Sequence, residues 1–495
     1  MGSGVVKDHA DLDPRTPVLV AWAAVEQKLE DPLEALDAAG LMVRAAREAV
    51  ADADVLAQVD WIGVTEGLTR YPDPGRLVAD AIGATAARTV LARLGVMQQT
   101  VISEALSAVA SGSARLALVT GAEAKHRARR AKVTGVDAPT TPQDSEVVPD
   151  EVHEPAQELI LECEIRAGLA MAVGFYAVME SAHRARAGES LEDNRNRLGE
   201  LYAGFTRAAA ANPHADRRDE LTADDISRAS PMLSFPYTAR MVSSWTVDQA
   251  AALLVCTVQT ARELGLDPAR WVVPLAAVES NHMPSLTSRS DLTRAAAMRT
   301  MAEAATAATG TAMSEIELLE LYSCFPIAVT MAAEGLGVRG DRDLTVTGGM
   351  PFAGGPFNNY VFQATCRAAD LLVASERPTR ALVSCVSGLY TKQGFTLWST
   401  AAPDRPFSVL DVTEQVRAAE PELPVVTVET GRGTIAGCTV LYDQGAPSRA
   451  VAVIDLEDGT RTTCGSSEPA LMVAMQTEEC VGRPVEIEGG DFRLA

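Results

Sequence analysis

Two stretches of this chain follow one plan, and that repetition limits the folds open to it. VISEALSAVASGSARLALVTGAEA, from Val101, and VFQATCRAADLLVASERPTRALVSCVSGLY, from Val361, each read as an alanine-rich helix, a short basic link and an apolar ALV strand ending in small residues. A separation of about 260 residues is too long for the stacked units of a solenoid and suits two similar α/β halves. In such an architecture ligand chemistry belongs at strand ends and helix starts, where the loops lie.

Three loops in the second half have that character. GGMPFAGGPFNNY, residues 348–360, follows the strand-like run LTVT and precedes the helix-like run VFQATCRAADLLVA. Its glycine pairs let backbone amides approach a ligand, and a strand, a glycine-rich loop and a helix N-terminus together can hold anionic or carbonyl oxygens. The same text also fits a plain tight turn. In IELLELYSCFPIAVTMAAEGLGV an acidic-apolar run ends at Tyr322, Ser323 and Cys324, and Pro326 opens a helix, so Cys324 is expected near a helix start. In TRALVSCVSGLYTKQGFTLWST a β-rich run reaches Cys385 and breaks at Ser387 and Gly388, which places Cys385 at a strand end. A thiol near a helix N-terminus can ionise early and act as a nucleophile, whereas most free cysteines are small buried hydrophobes; both readings stay open for Cys324 and Cys385. His282, in VESNHMP, is either a base near a strand end or a satisfied structural histidine.

The 495 residues, 47% hydrophobic and 22% charged, can bury a large core spread over three or four domains. No run is long and apolar enough to span a bilayer, residues 1–14 read as a loose leader without a signal-peptide pattern, and a cytoplasmic location is expected. Eight cysteines without a Cys-x-x-Cys pair read as reduced thiols, and no metal or resident redox cofactor is implied. A formal charge of −23 argues against nucleic acid and against anionic membranes as partners. Against that background the run KHRARRAK, Lys125 to Lys132, stands out, either as an anion-binding group or as a solvated helix start. Beyond about Asp404 the text turns to β-rich runs separated by glycine turns, including Asp458 and Gly459, with a short helix PALMVAMQ and a last strand RPVEIEGG.

The order ELYSCF, then GGMPFAGGP, then a strand reaching Cys385 with Gly388 after it resembles the three C-terminal catalytic loops of the thiolase superfamily, and ARLALVTGAEA and TVDQAAALLV resemble thiolase core strands. Long stretches, SPMLSFPYTARMVSSWTVDQAAALL, ARELGLDPARWVVPLAAVESNH and FAGGPFNNYV, resemble the type 1 branch of thiolase-like proteins, which carries an additional C-terminal domain. The resemblance implies an α/β fold of duplicated layered α-β-α-β-α halves with an inserted loop domain and a small β-rich C-terminal domain. The implied divisions are 15–124 and 245–270 for the first half, 125–244 for the inserted domain, 271–403 for the second half and 404–495 for the appendage. It further implies acyl-CoA acyltransferase activity of acetyl-CoA acetyltransferase type. Coenzyme A or acyl-CoA is then the ligand, Cys385 the acid/base thiol and Cys324 its partner. Gly354, Gly355, Asn358 and Asn359 become the substrate and oxyanion loop, and Arg127, Arg129 and Arg130 the contacts to coenzyme A phosphates. A protein partner is expected to dock through the C-terminal domain.

The chain departs from the family pattern at decisive places. It has no Cys before Cys163, and GVMQQTVISEALSAV, which should carry the nucleophile, offers Gln98, Gln99, Thr100 and Ser103. None of these matches a thiolate near neutral pH. Gly355 stands where the family has the His of Gly-His-Pro, and Ser387 follows the Cys-x pair where a glycine is usual. Two functions therefore remain: an acyl-CoA acyltransferase working through Cys385 and Cys324, or a non-catalytic coenzyme A or acyl-CoA binder serving as scaffold or partner subunit.

Overall fold

The structure is a computed structural model that describes residues 12–155, 159–338 and 342–495; most of the expected leader thus lies outside the described residues. Two sheets form its body. The first has six strands in the order Pro17–Gln27, Asp248–Thr257, Leu116–Ala124, Trp61–Thr65, Arg88–Ala92 and Glu151–His153. Asp248–Thr257 runs antiparallel to both its neighbours, and the strands beyond Leu116–Ala124 pair in parallel. The second has five, in the order Leu318–Glu320, Arg380–Ser387, Lys392–Ser399, Val273–Ser280 and Ser408–Asp411.

Two helices, Gln98–Ser111 and Tyr360–Ala374, lie between the sheets and touch both. Ala38–Ala49 and Pro74–Ile82 cover the outer face of the first sheet, and Ala296–Thr309 covers that of the second, which gives an α-β-α-β-α stack. The sequence accounts for this layering. DQAAALLVCT, covered on both faces, is apolar almost throughout, as a strand sandwiched between helices must be. Both copies of the repeat are realised as a central helix leading into a core strand, Gln98–Ser111 into Leu116–Ala124 and Tyr360–Ala374 into Arg380–Ser387.

The third sheet is largely C-terminal. Thr430–Asp443 pairs with Ala446–Leu456 and with Pro484–Glu488; Arg461–Ser466 joins Ala446–Leu456 to Asp491–Leu494, which returns to Pro484–Glu488. These pairings close five strands into a ring, with the helix Pro469–Thr477 inserted between the third and fourth. That is the order of a five-stranded Greek-key barrel of the OB type. The turn at Asp458 and Gly459 links two of its strands, with Gly459 at φ +84° and Thr460 N donating to Asp458 Oδ1 at 2.9 Å.

Four local expectations are adjusted. LTVT is not a strand: the amides of Val346 and Thr347 donate to the Glu320 carboxylate at 2.8 and 2.9 Å instead of to a neighbouring strand. Glu151–His153, expected in the inserted domain, pairs in parallel with Arg88–Ala92 at the edge of the first sheet. Ser408–Asp411, beyond the expected end of the second half at residue 403, is the edge strand of the second sheet. Met232–Ser234 and Tyr237–Thr238, expected in the inserted domain, extend the third sheet through Ser234 opposite Leu441. Among the described residues no helix is long and apolar enough to cross a membrane.

Candidate functional site

The two central helices start at the same place, and their N-termini meet the loops that carry both thiols. Gln98 and Gln99 open the first helix and are buried. Gln98 Oε1 accepts a hydrogen bond from Val361 N in the first turn of the second helix at 2.7 Å, so one amide side chain ties the two helix heads together. Gln99 turns the other way, its Nε2 donating to Thr396 Oγ1 at 2.8 Å and to Ser103 Oγ at 3.1 Å. The helix start where the family resemblance implies a nucleophilic cysteine thus carries two hydrogen-bonded glutamines.

Cys385 lies under these helix heads and is fully buried. Burial pushes its thiol up to about 12, although the backbone amides of Gln99 and Gln98 and the Lys392 ammonium favour the thiolate. Lys392 is itself buried, and its Nζ donates to the carbonyl of Gly95, where Ser387 Oγ also donates at 3.2 Å. Cys324 stands just before the helix Pro326–Leu336, as expected, and burial pushes its thiol up to about 12 despite a hydrogen bond with the Tyr176 side chain. Tyr176 stacks on Phe325 at 4.2 Å, which closes that side with aromatic rings. Near neutral pH both groups are thiols: weak donors rather than nucleophiles.

The glycine loop is sewn to the chain around Ser243. Gly355 N donates to Ser244 O at 2.9 Å, Ser244 N to Met350 O at 3.0 Å and Ser243 N to Cys324 O at 3.2 Å. A Cβ at Gly355 would lie 1.9 Å from Ser243 Oγ, so a side chain there would require the Ser243 hydroxyl to turn away. Gly354, at φ +103°, packs its backbone on the Gln249 amide, where a Cβ would lie 2.4 Å from Oε1. Asn358 is committed as well: its Nδ2 donates to Glu66 O at 3.1 Å and its carbonyl accepts from Thr65 Oγ1 at 2.6 Å. Asn359 differs. It precedes the helix Tyr360–Ala374 without capping it, is 1% exposed, and neither polar atom of its side chain has a hydrogen-bond partner among the described residues.

The three arginines separate. The Arg127 guanidinium is spent on the carbonyls of Ala35, Ala138 and Pro139 at 3.0, 3.2 and 2.8 Å, which fasten the helix Lys125–Thr134 to two loops. Arg130 pairs with Glu30 at 2.9 Å, and Arg129 is exposed on the same helix. His282 is buried with Nε2 3.3 Å from Glu420 O, a structural placement.

Sequence reasoning missed Glu320. Its buried carboxylate accepts from Tyr360 OH at 2.5 Å, from Thr345 Oγ1 and Thr347 Oγ1 at 3.0 and 3.1 Å, and from the two amides of the LTVT run. Burial raises its carboxyl even so, and these bonds pull against that rise. The signal was present in ELLELYS, where an acid ends a short apolar strand.

No family model matches the chain, and no curated protein matches it either. Solved structures do. The chain is similar to a monomeric SCP2-thiolase-like protein type 1 from Mycobacterium smegmatis, at 28% identity and a TM-score of 0.81 over 98% of this chain and 100% of that one. Human mitochondrial 3-ketoacyl-CoA thiolase, solved in complex with CoA, is 15% identical with a TM-score of 0.56 over 79% of this chain and 100% of its own. The dimeric peroxisomal thiolase of Saccharomyces cerevisiae is 13% identical with a TM-score of 0.55 over 78% of this chain and 98% of its own.

Proposed function

Starting from a thiolase-like fold with a C-terminal β-rich region, we propose that this protein binds coenzyme A or its thioesters and does not pass acyl groups through a cysteine thioester. The observation that carries this reading is Gln98, whose buried amide is locked onto Val361 N at the helix head where acyl transfer of the thiolase kind needs a thiolate. Gly355 supports it, because the loop offers no imidazole at the place where the family resemblance implies one. For the ligand, the support is the fold shared with a thiolase solved in complex with CoA. Arg129 is the phosphate contact in this reading, since Arg127 is buried with its guanidinium held by three backbone carbonyls and Arg130 already has Glu30.

A second reading, an acyl-CoA acyltransferase with Cys385 and Cys324 as the reacting pair, is favoured by one observation. The Cys385 sulfur faces two helix N-terminal amides with Lys392 nearby, a setting that would stabilise a thiolate once ligand binding changed its surroundings. Titration calorimetry with coenzyme A, acetyl-CoA and a longer acyl-CoA, followed by intact-protein mass spectrometry of the incubated samples, separates the two. Saturable binding without an acyl mass is the expected result. An acyl adduct mapped to Cys385 or Cys324 would move the assignment to the acyltransferase, and failure of all three ligands to bind would overturn both.

A further inference from the structure

Of the five tryptophans, Trp22, Trp61, Trp271 and Trp398 are buried, whereas Trp245 is 42% exposed. A single exposed apolar side chain is ordinary; the place of this one is not. It follows Ser243 and Ser244, whose backbones are bonded to Cys324 O, Met350 O and Gly355 N, and it stands two residues before Val247, whose carbonyl accepts Lys125 N at 3.0 Å. Asn358 ties the glycine loop to Glu66 O at 3.1 Å, and Leu68 N donates to Glu123 at 2.9 Å. Four segments thus meet around the glycine loop, and Leu68 and Trp245 are the large apolar side chains that they leave exposed.

Cations continue from this ring. Lys125 opens the helix Lys125–Thr134 with its Nζ 2.8 Å from the centre of the Trp245 ring. Arg129 and Lys132 follow at i+4 and i+7, which puts all three on one face of the helix. Arg129 and Lys132 are exposed, and neither takes part in an ion pair among the described residues. The acidic loop near this helix lies on its other side, where Arg127 holds Ala35 O and Arg130 pairs with Glu30. The carboxyl that acts on Lys125 is Glu123, which burial raises to about 7, so near neutral pH it carries only part of a charge. In a chain of net charge −23, an exposed ring followed by three cations along one helix face is a local exception.

An acidic peptide would use the cations and leave the ring idle, and an apolar chain would do the reverse. A nucleotide with more than one phosphate uses both: its base has a π-face for the indole, and its phosphates take charge-assisted hydrogen bonds from ammonium and guanidinium groups. We propose that Trp245 receives the base, and Lys125, Arg129 and Lys132 the phosphates, of a nucleotide-bearing ligand, so that the protein selects thioesters of coenzyme A over the same phosphopantetheine thioester without its nucleotide. The selectivity rests on the coenzyme A reading above, while the nucleotide site itself rests on the indole and the helix. On binding, Lys125 moves from the ring to a phosphate and frees that face for the base.

The test is titration calorimetry of the full chain with coenzyme A, adenosine 3′,5′-bisphosphate and 4′-phosphopantetheine, with tryptophan emission followed in parallel. Coenzyme A and the bisphosphate are expected to bind saturably and to quench the exposed indole, coenzyme A about tenfold or more tighter than phosphopantetheine. Trp245→Leu is expected to weaken both nucleotides about tenfold without changing phosphopantetheine, and Trp245→Phe, which keeps a ring, to weaken them less. Arg129→Gln combined with Lys132→Gln should weaken both nucleotides and lower the dependence of their binding on salt. These side chains are exposed, so the variants keep the core intact. Coenzyme A binding unchanged in Trp245→Leu, or phosphopantetheine binding as tightly as coenzyme A, would overturn the proposal and leave the coenzyme A reading standing. Bisphosphate binding that Trp245→Leu weakens, with no phosphopantetheine binding up to about 10 mM and no gain for coenzyme A over the bisphosphate, would uphold the nucleotide site and overturn the coenzyme A reading. Failure of all three to bind would overturn both.

Discussion

At the scale of single residues, burial decides what the reactive groups can do. The Cys385 and Cys324 thiols, pushed up to about 12, are almost wholly protonated at pH 7.5, at a thiolate fraction below about one in ten thousand. We expect iodoacetamide to label neither in the native protein within an hour and both after unfolding in urea, as read by peptide mass spectrometry; rapid native labelling would mean that the pocket opens. The sign of the pH dependence follows. The folded state holds these protons more tightly than the unfolded state, so their contribution to stability is intact below pH 9 and is lost as pH rises from there towards 12. Glu123 is the carboxyl counterpart. It is 1% exposed, accepts Leu68 N at 2.9 Å, and burial raises it to about 7. The stability tied to its proton is present below pH 4.5 and lost as pH rises through about 7, so the folded state carries a buried charge above that. Glu123→Gln keeps the bond to Leu68 without the charge. It is expected to raise stability at pH 8 by up to about 3 kcal/mol and to change little at pH 4.5, by urea unfolding at the two pH values.

At the scale of elements, hydrophobic period was readable and side-chain traffic between elements was not. The repeat at Val101 and Val361 announced two central helices and two core strands because packing on both faces demands long runs of small apolar residues. LTVT misled because its composition is β-like, while the partner of its amides, Glu320, lies 26 and 27 residues away. The same holds at the site. The missing cysteine before Cys163 was plain in the sequence, but not that Gln98 would bridge two helix heads, nor that Ser243 would pack against Gly355. Such contacts join residues far apart in sequence, and no local pattern encodes them. The bridge is testable. Gln98→Ala removes the acceptor of Val361 N and leaves that buried amide unsatisfied, so we expect a loss of about 1–3 kcal/mol by urea unfolding with the far-ultraviolet spectrum unchanged. A loss below about 0.5 kcal/mol would mean that water replaces the amide.

At the scale of the whole molecule, the C-terminal barrel is joined to the rest of the chain, through the region expected as the inserted domain, by polar contacts that an independent appendage would not make. Cys438 N donates to Ser181 Oγ at 2.7 Å, Ser234 Oγ lies 2.8 Å from Thr439 Oγ1, and Arg449 Nε donates to Ala167 O at 2.7 Å. Arg184, only 3% exposed, pairs with Glu479 at 2.8 Å. The segment leading into the barrel also supplies Ser408–Asp411, the edge strand that covers Val273–Ser280. A chain ending at residue 403 would bare the backbone of that strand, strand Ser234 and Ser181 without their barrel partners, and leave Arg184 a charge without its carboxylate. Exposed sheet edges drive association, and a buried guanidinium left without its carboxylate is destabilising. The truncated chain is therefore expected to collect in the insoluble fraction. The full chain should unfold in one transition that coincides in circular dichroism and tryptophan fluorescence, because barrel and body lose their shared contacts together. Glu479→Ala tests the joint without truncation: stranding Arg184 should lower the urea midpoint of both probes equally. A shift in one probe alone, or a soluble, folded chain ending at residue 403, would show that the barrel is a separable module and that its contacts with the body add little.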